Sequence, residues 1–510
     1  YGLRFEVNTP FREAAGKTSG LVPGPAGAQR YLINLQPPFR TDWSGWGPRL
    51  ALDLRLDERT VFRAGGSIMT LLPNIYQQNF VMGGVPFVNR VQGTAQPGSP
   101  IRFENVARSF APPPVYARDG RLVFAERDSK RVAPNTEMDV DRFLRDLARL
   151  TPGNQIRPFT PYGVAPGLDN GYIATWTANL ERRFGDFNWS ASYVATAGVH
   201  LGNMFFPNSY IGAQPEFAPY TRFDPEGRIV GGFGAEYLIN SGSHSTYHAL
   251  QAALAKNSLR QGLGLQVSYT FGKSIDDTSG ILPGFLSGAS GTVLQTSPQN
   301  PWNTRAERGV STFDVTHVLT FSVLKELVLE RTPGFRALPR ALTSGWQVLN
   351  ISTLTSGSPF TIYSGIQQTG AGVNGADRPD QTGYPELSTR RTVREDYLGW
   401  GAANTRFFSI PVGVPGGTGP NRGRFGSLGR NTFRGPALHN FDVALIKDTR
   451  VARRAGGEPV AIEFRAEFFN VFNVVNFGLP SNIVLGPGFG MISKTAGTSR
   501  QIQFSLKLLY

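Results

Sequence analysis

Gln501-Ile502-Gln503-Phe504-Ser505-Leu506-Lys507-Leu508-Leu509-Tyr510 closes the chain. Side chains of an extended strand point alternately to its two faces, so Ile502, Phe504, Leu506, Leu508 and Tyr510 share one face. Gln501, Gln503, Ser505 and Lys507 share the other. One face demands apolar surroundings and the other demands water. A strand of a soluble sandwich could show the same alternation, so the decision rests on the rest of the chain.

The pattern recurs throughout. Leu3, Phe5 and Val7 alternate with Arg4 and Glu6, and Leu50, Leu52, Leu54 and Leu56 alternate with Arg49, Ala51, Asp53 and Arg55. Asp57 to Arg59 make a tight turn into a returning strand over Thr60 to Met69. Strands are read over 171–183, 188–196, 244–256, 263–275, 314–324, 346–360, 437–449 and 460–470. The segment from Leu263 is the clearest: Leu263, Leu265, Val267, Tyr269 and Phe271 oppose Gly264, Gln266, Ser268, Thr270 and Gly272. One helix, about 137–150, is expected inside the long connection 70–170. There Thr136 and Asp139 form a capping pair, and Val140, Phe143, Leu144, Leu147 and Leu150 recur at helical spacing before Pro152.

The links between about twelve strands alternate between long and short. The long ones are 70–170, 199–243, 276–313, 361–436 and 471–498. A membrane barrel with one looped rim and one tight rim has this rhythm, and a sandwich or propeller has no reason to keep it. With the C-terminus on the tight-turn side, every short turn falls on that side. The fold expected is therefore all-β: a transmembrane antiparallel β-barrel with long extracellular loops and one short loop helix, in the outer membrane of a Gram-negative cell.

Composition agrees. The 510 residues include 60 Gly and 37 Pro, as many loops require, and 40% hydrophobic with 12% aromatic residues argues against disorder. No apolar run reaches the length of about 18 residues that a membrane helix needs. The chain has no Cys, which fits an extracytoplasmic setting. The net charge of +14 suits anionic lipid, an anionic ligand or nucleic acid. The basic residues are scattered without an aromatic-spaced stripe, so nucleic acid is not expected as a partner. No signal peptide precedes Tyr1, as for a processed precursor or a fragment.

Chemistry-bearing residues are few. His244 and His248 lie four apart on a strand, about 13 Å by strand rise, too far to share a metal. His200, His317 and His439 are isolated, and no HExxH, P-loop or GxSxG is present. Gly423, Gly426 and Gly429 lack the strand and helix of a phosphate loop and read as turns. Glu463 and Glu467 flank Arg465 at about 13 Å from each other, beyond glycosidase spacing. These three with Asp442 are the candidate lumen-facing residues, and Lys447 is a lumen or rim residue. Trp189, Tyr193, Trp302 and Trp346 suit an interfacial girdle better than a ligand stack. No catalysis, cofactor or metal is expected.

Four motifs carry a family resemblance: Tyr269-Thr270-Phe271-Gly272-Lys273-Ser274-Ile275-Asp276-Asp277, the segment Arg308-Gly309-Val310-Ser311-Thr312-Phe313-Asp314-Val315-Thr316-His317, Gly429-Arg430-Asn431-Thr432-Phe433-Arg434-Gly435-Pro436, and Phe464-Arg465-Ala466-Glu467-Phe468-Phe469-Asn470-Val471-Phe472-Asn473. In this order they resemble the C-terminal barrel of TonB-dependent outer-membrane receptors, and more closely the Oar-like subgroup, whose members carry a carboxypeptidase-regulatory-like domain. The terminal strand ending on Tyr510 likewise resembles the strand that the barrel-assembly machinery recognises. The resemblance implies a barrel of about 22 strands with an N-terminal plug and a TonB-contacting box. Neither plug, box nor regulatory domain is found in this sequence, which therefore reads as a C-terminal portion with strand edges at Tyr1–Asn8 and Gln501–Tyr510 for a missing half to pair. The implied function is energised uptake of a solute bound at the outer loops. Its implied partners are the TonB complex, the barrel-assembly machinery, outer-membrane lipid and lipopolysaccharide. The rival readings are a self-contained barrel of about twelve strands acting as channel or enzyme, and a surface adhesion barrel.

Overall fold

The computed structural model describes the chain apart from residues 11, 15, 24–28, 73–112, 125–131, 150–161, 166, 206–207, 209–219, 227–228, 234–236, 257–261, 281–285, 288–292, 295–297, 301–302, 367, 369–376, 384–406, 412–423, 454–458 and 510. Twelve strands form one antiparallel sheet in strict chain order: β1 (Gly2–Asn8), β2 (Asp42–Arg55), β3 (Thr60–Leu71), β4 (Gly171–Phe184), β5 (Phe187–Phe205), β6 (Tyr237–Lys256), β7 (Leu263–Asp276), β8 (His317–Leu327), β9 (Trp346–Thr355), β10 (Leu438–Arg453), β11 (Pro459–Phe469) and β12 (Gln501–Leu509). Each strand pairs with its neighbours in sequence, and among the described residues β1 and β12 have no strand on their outer edges.

Register converts the alternation of single strands into two continuous faces. Leu54 pairs with Phe62 and Phe62 with Leu180, while at the other end Leu445 pairs with Ala466 and Ala466 with Phe504. Directly opposed residues of an antiparallel pair share a face, so one apolar face runs from Leu3 to Leu508. Among the described residues no second layer covers it: Leu50 is 69% exposed and Leu506 73%. A patch of this extent is a surface made for an apolar solvent. The opposite face carries Asp53, Arg63 and Glu181 at one end and Asp448, Glu463, Arg465 and Lys507 at the other.

The buried cores lie in the long links. Tyr31, Ile33, Val115, Phe143 and Leu144 form one cluster with the helix α1 (Val140–Arg149), and Phe360, Ile362, Phe408, Leu428 and Phe433 form another. Burial pushes the Tyr31 phenol pKa up, which keeps it a neutral donor to Ser19 Oγ at 2.9 Å.

Several expectations need correction. The helix begins at Val140 because Asp139 caps it, its Oδ1 accepting the Arg142 N–H at 3.0 Å and its carbonyl the Phe143 N–H. Thr136 instead belongs to a short strand and donates to the Ala133 carbonyl. The link read as 199–243 is shorter, since β5 runs to Phe205 and β6 starts at Tyr237. Register shifts after Gly198 and Leu201 break the alternation there and hide the strand ends. The strand read from Asp314 starts at His317, and the one read to Phe360 stops at Thr355. Asp314 and Phe360 serve the loops described next. Tyr510, Trp302 and Gly423 lie outside the described residues.

Candidate functional site

On the polar face, Arg465 Nε donates to Glu463 Oε1 at 2.7 Å, and its Nη1 lies 4.0 Å from Glu467 Oε1. Glu463 pairs with Lys507 and Asp448 in the ladder. Asp442 is on the same face and is turned to structure: its oxygens accept the Asn470 N–H and the Asn440 Nδ2, both at 2.8 Å. The four candidate residues therefore share a face, while Asp442 stands apart from the ionic row at its end. A second row sits across β2, β3 and β4, where Arg63 reaches Asp53 at 3.0 Å and Glu181 at 2.6 Å. The sequence reading passed over this row. Asp53 and Arg63 straddle the tight turn symmetrically and could have been matched, but Glu181 arrives from beyond a long link.

Lys447 lies at the tight rim on the apolar face, its Nζ held by the carbonyls of Ala341 and Ser344 and placed over the Trp346 ring at 5.3 Å. Trp346 Nε1 donates to the Leu342 carbonyl. Tyr193 and Tyr269, also on the apolar face, are hydrogen-bonded to Nδ1 of His248 (2.7 Å) and His317 (2.8 Å). This is amphipathic girdle chemistry. Among the described residues no group of three or more His, Cys, Asp or Glu could hold a metal.

Three of the four motifs meet at the looped rim in a buried ionic latch. Arg430 spends its guanidinium on the Asp276 carboxylate and carbonyl, the Glu307 carbonyl (2.9 Å) and Ser279 Oγ (2.9 Å). Arg378 grips Glu307 through two bonds, 2.7 and 2.9 Å, with both side chains at most 3% exposed. Arg434 reaches Asp314, whose other oxygen accepts the Ser274 N–H at 2.7 Å. Between them Asn431, left-handed at φ 53°, donates to the Val310 carbonyl and exchanges bonds with Thr361. The latch ties the link after β7 to the link after β9. Gly426 admits it, since a Cβ there would lie 2.0 Å from the Arg378 carbonyl oxygen. In the fourth motif Asn470 and Asn473, both left-handed, bend the chain out of β11.

Outside the latch, Arg424 binds Asp380 and holds its carboxyl below the usual carboxylate range, with help from the Ser427 N–H. A cleft of about 550 Å³ opens beside the latch, between the tops of β6 and β7 and the turn Thr304–Glu307.

Against this geometry the similarities can be set. The outer membrane transporter YddB from Escherichia coli aligns at 9% identity and a TM-score of 0.40, covering 96% of this chain and 43% of that one. The ferric enterobactin receptor PfeA from Pseudomonas aeruginosa aligns at 12% identity and a TM-score of 0.40, covering 98% and 49%. The siderophore receptor PirA from Acinetobacter baumannii aligns at 8% and 0.39, covering 94% and 42%. The chain thus spans less than half the length of each of these structures. No curated protein sequence matches. The family described as outer membrane beta barrel domain matches residues 1–503, and the chain belongs to that family of outer-membrane β-barrels.

Proposed function

We propose that this chain forms wall and outer loops of a TonB-dependent receptor of the Oar-like subgroup. Such a receptor binds a solute at its loops and admits it when the TonB complex acts on a plug carried elsewhere in the protein. The observation that carries the reading is the convergence of motifs: residues of three segments that resemble the receptors build one latch. The sheet edges at β1 and β12 favour a larger barrel over a self-contained channel. On this reading the short links face the periplasm, the long links after β3, β5, β7, β9 and β11 face outward, and Glu463, Arg465, Glu467 and Asp442 face the lumen, where a plug or solute would meet them. The terminal strand is offered to the barrel-assembly machinery. No catalytic role is assigned.

Topology and energisation are tested separately. The chain lacks Cys, so single cysteines report cleanly: Asp119→Cys is labelled by an impermeant maleimide on intact cells and Glu330→Cys only after the outer membrane is permeabilised. The full-length protein is expected to bind the periplasmic domain of TonB. Labelling of Glu330→Cys on intact cells overturns the topology, and absence of TonB binding overturns the transport reading.

A further inference from the structure

The apolar face of β6 and β7 changes character as it climbs to the looped rim. Leu250 pairs with Phe271, then His248 with Lys273, then Thr246 with Ile275. Above them the His244 N–H donates to both oxygens of Asp277 at 3.0 Å, and the Asp277 N–H returns to the His244 carbonyl. These steps share one face, the side turned to lipid. The 550 Å³ cleft stands at the top of this ladder, lined by Thr246, Ile275, His244 and Asp277 on the wall and by Arg305 and Arg308 leaning over it. Below, the Tyr–His pairs and the exposed Leu250 and Phe271 mark where acyl chains begin.

The charges here are unbalanced by construction. Arg305 and Arg308 are exposed, and among the described residues neither side chain has a hydrogen-bond or ionic partner. The acids nearest to them are already committed. Glu307, on the same turn, points inward to Arg378, Asp276 is held by Arg430, and Asp277 by His244. Lys273, exposed and likewise without an acidic partner among the described residues, lies one ladder step below the cleft, about 7 Å by strand rise.

We propose that this cleft, with Lys273 beneath it, binds the phosphate groups of an outer-leaflet glycolipid, whose acyl chains continue down the wall along Leu250 and Phe271. Guanidinium forks match phosphate oxygens in pairs, and a lysine adds a point charge at a second height. A phosphorylated solute offers the same oxyanion chemistry. The lipid is favoured because His244, Thr246, Ile275 and Asp277 of the cleft's lining share the lipid-turned face, in line with an apolar track that a soluble anion would not use. The inference rests on the chain being an outer-membrane barrel and does not depend on TonB-driven transport.

The test is native mass spectrometry of the full-length protein in detergent, titrated with lipid A and with lipid A stripped of both phosphates. Wild type is expected to retain lipid A and to bind the dephosphorylated form roughly tenfold or more weakly. Arg305→Gln/Arg308→Gln is expected to lose about the same factor, and Lys273→Gln a smaller one, with heat-modifiable gel migration unchanged. Arg331→Gln/Arg336→Gln, at the opposite rim, is expected to behave as wild type. Equal retention of both lipids by wild type overturns the proposal without recourse to any variant, as does unchanged retention by the double variant. Displacement of lipid A by inorganic pyrophosphate at comparable concentration overturns the assignment to lipid in favour of a soluble anion.

Discussion

Replacing Glu307 by Gln keeps the shape of the side chain and removes its charge, which leaves the Arg378 guanidinium buried without a counter-ion. In the native pair both Arg378 Nη atoms donate to Glu307 at 2.7 and 2.9 Å, and neither residue is more than 3% exposed. Arg378 has no reserve, because its Nε is already buried without an acceptor among the described residues. Breaking a buried pair from one side costs about 3–5 kcal/mol. At about 1.36 kcal/mol per tenfold, the latch should open roughly 150- to 5000-fold more often. The cost is local, since no rung of the twelve-strand ladder uses Glu307. Hydrogen exchange of the detergent-solubilised protein, read on peptides covering 299–311 and 424–431, measures the opening against peptides from β6 and β7 as the internal reference. The double replacement Glu307→Leu/Arg378→Met should recover most of the protection, because removing both charges leaves no uncompensated ion. Opening within about threefold of wild type for Glu307→Gln would refute the argument, as would a uniform rise in exchange across the sheet.

Three further outcomes follow from the geometry. Leu506→Arg should destabilise insertion into lipid vesicles by about 2–4 kcal/mol, whereas Ser505→Arg on the other face should cost little; equal penalties in equilibrium unfolding would show the faces to be wrongly assigned. Gly357→Ala would set a Cβ 1.7 Å from the Gly435 carbonyl oxygen, so the backbones must part at a cost of about 3 kcal/mol or more, visible as a lower temperature for loss of the heat-modifiable form. Asp380 is held below the usual carboxylate range chiefly by Arg424, so its contribution is fully present at neutral pH. It declines as pH falls through the range where free carboxylates titrate and is gone once pH is below its own lowered value. Proteolysis of the 424–428 segment should therefore rise with acid in wild type and be high and less pH-dependent in Asp380→Asn; a flat wild-type profile would refute this.

The wall was legible because a strand's face is written in its own residues. The alternation from Leu263 to Phe271 or from Ile502 to Leu508 needs no knowledge of a partner, and tight turns fix the register of the strand that follows. Strand ends were harder to read where the ladder slips: His200 is left-handed at φ 53° and the register shifts beside it, so β5 looks finished before it is. The latch was the opposite case. Its motifs stood out in sequence, yet the bonds of the latch join Asp276 to Arg430 and Glu307 to Arg378 across separations of 154 and 71 residues. Neither Glu307 nor Arg378 belongs to any of the motifs. Nothing local to an arginine says which distant carboxylate will take it.

The division between wall and loops has an energetic reason. Among the described residues the sheet has no facing layer, so its apolar side is completed by lipid, and mutating that side tests the membrane rather than a core. The long links have no such solvent to lean on and must bury their own clusters, around Phe143 and Leu144 on one side and around Phe360 and Phe408 on the other. Loops with cores of their own still need a defined junction with the wall. Apolar contact is a poor means for that purpose at the rim, where water competes, and oriented, hydrogen-bonded ion pairs fix a unique geometry. Asp276 at the end of β7, Asp314 just before β8 and Arg434 just before β10 stand at that junction. The latch therefore spans the outer ends of β8 and β9, and any rearrangement of the loops in that sector has to break buried pairs rather than slide an apolar surface.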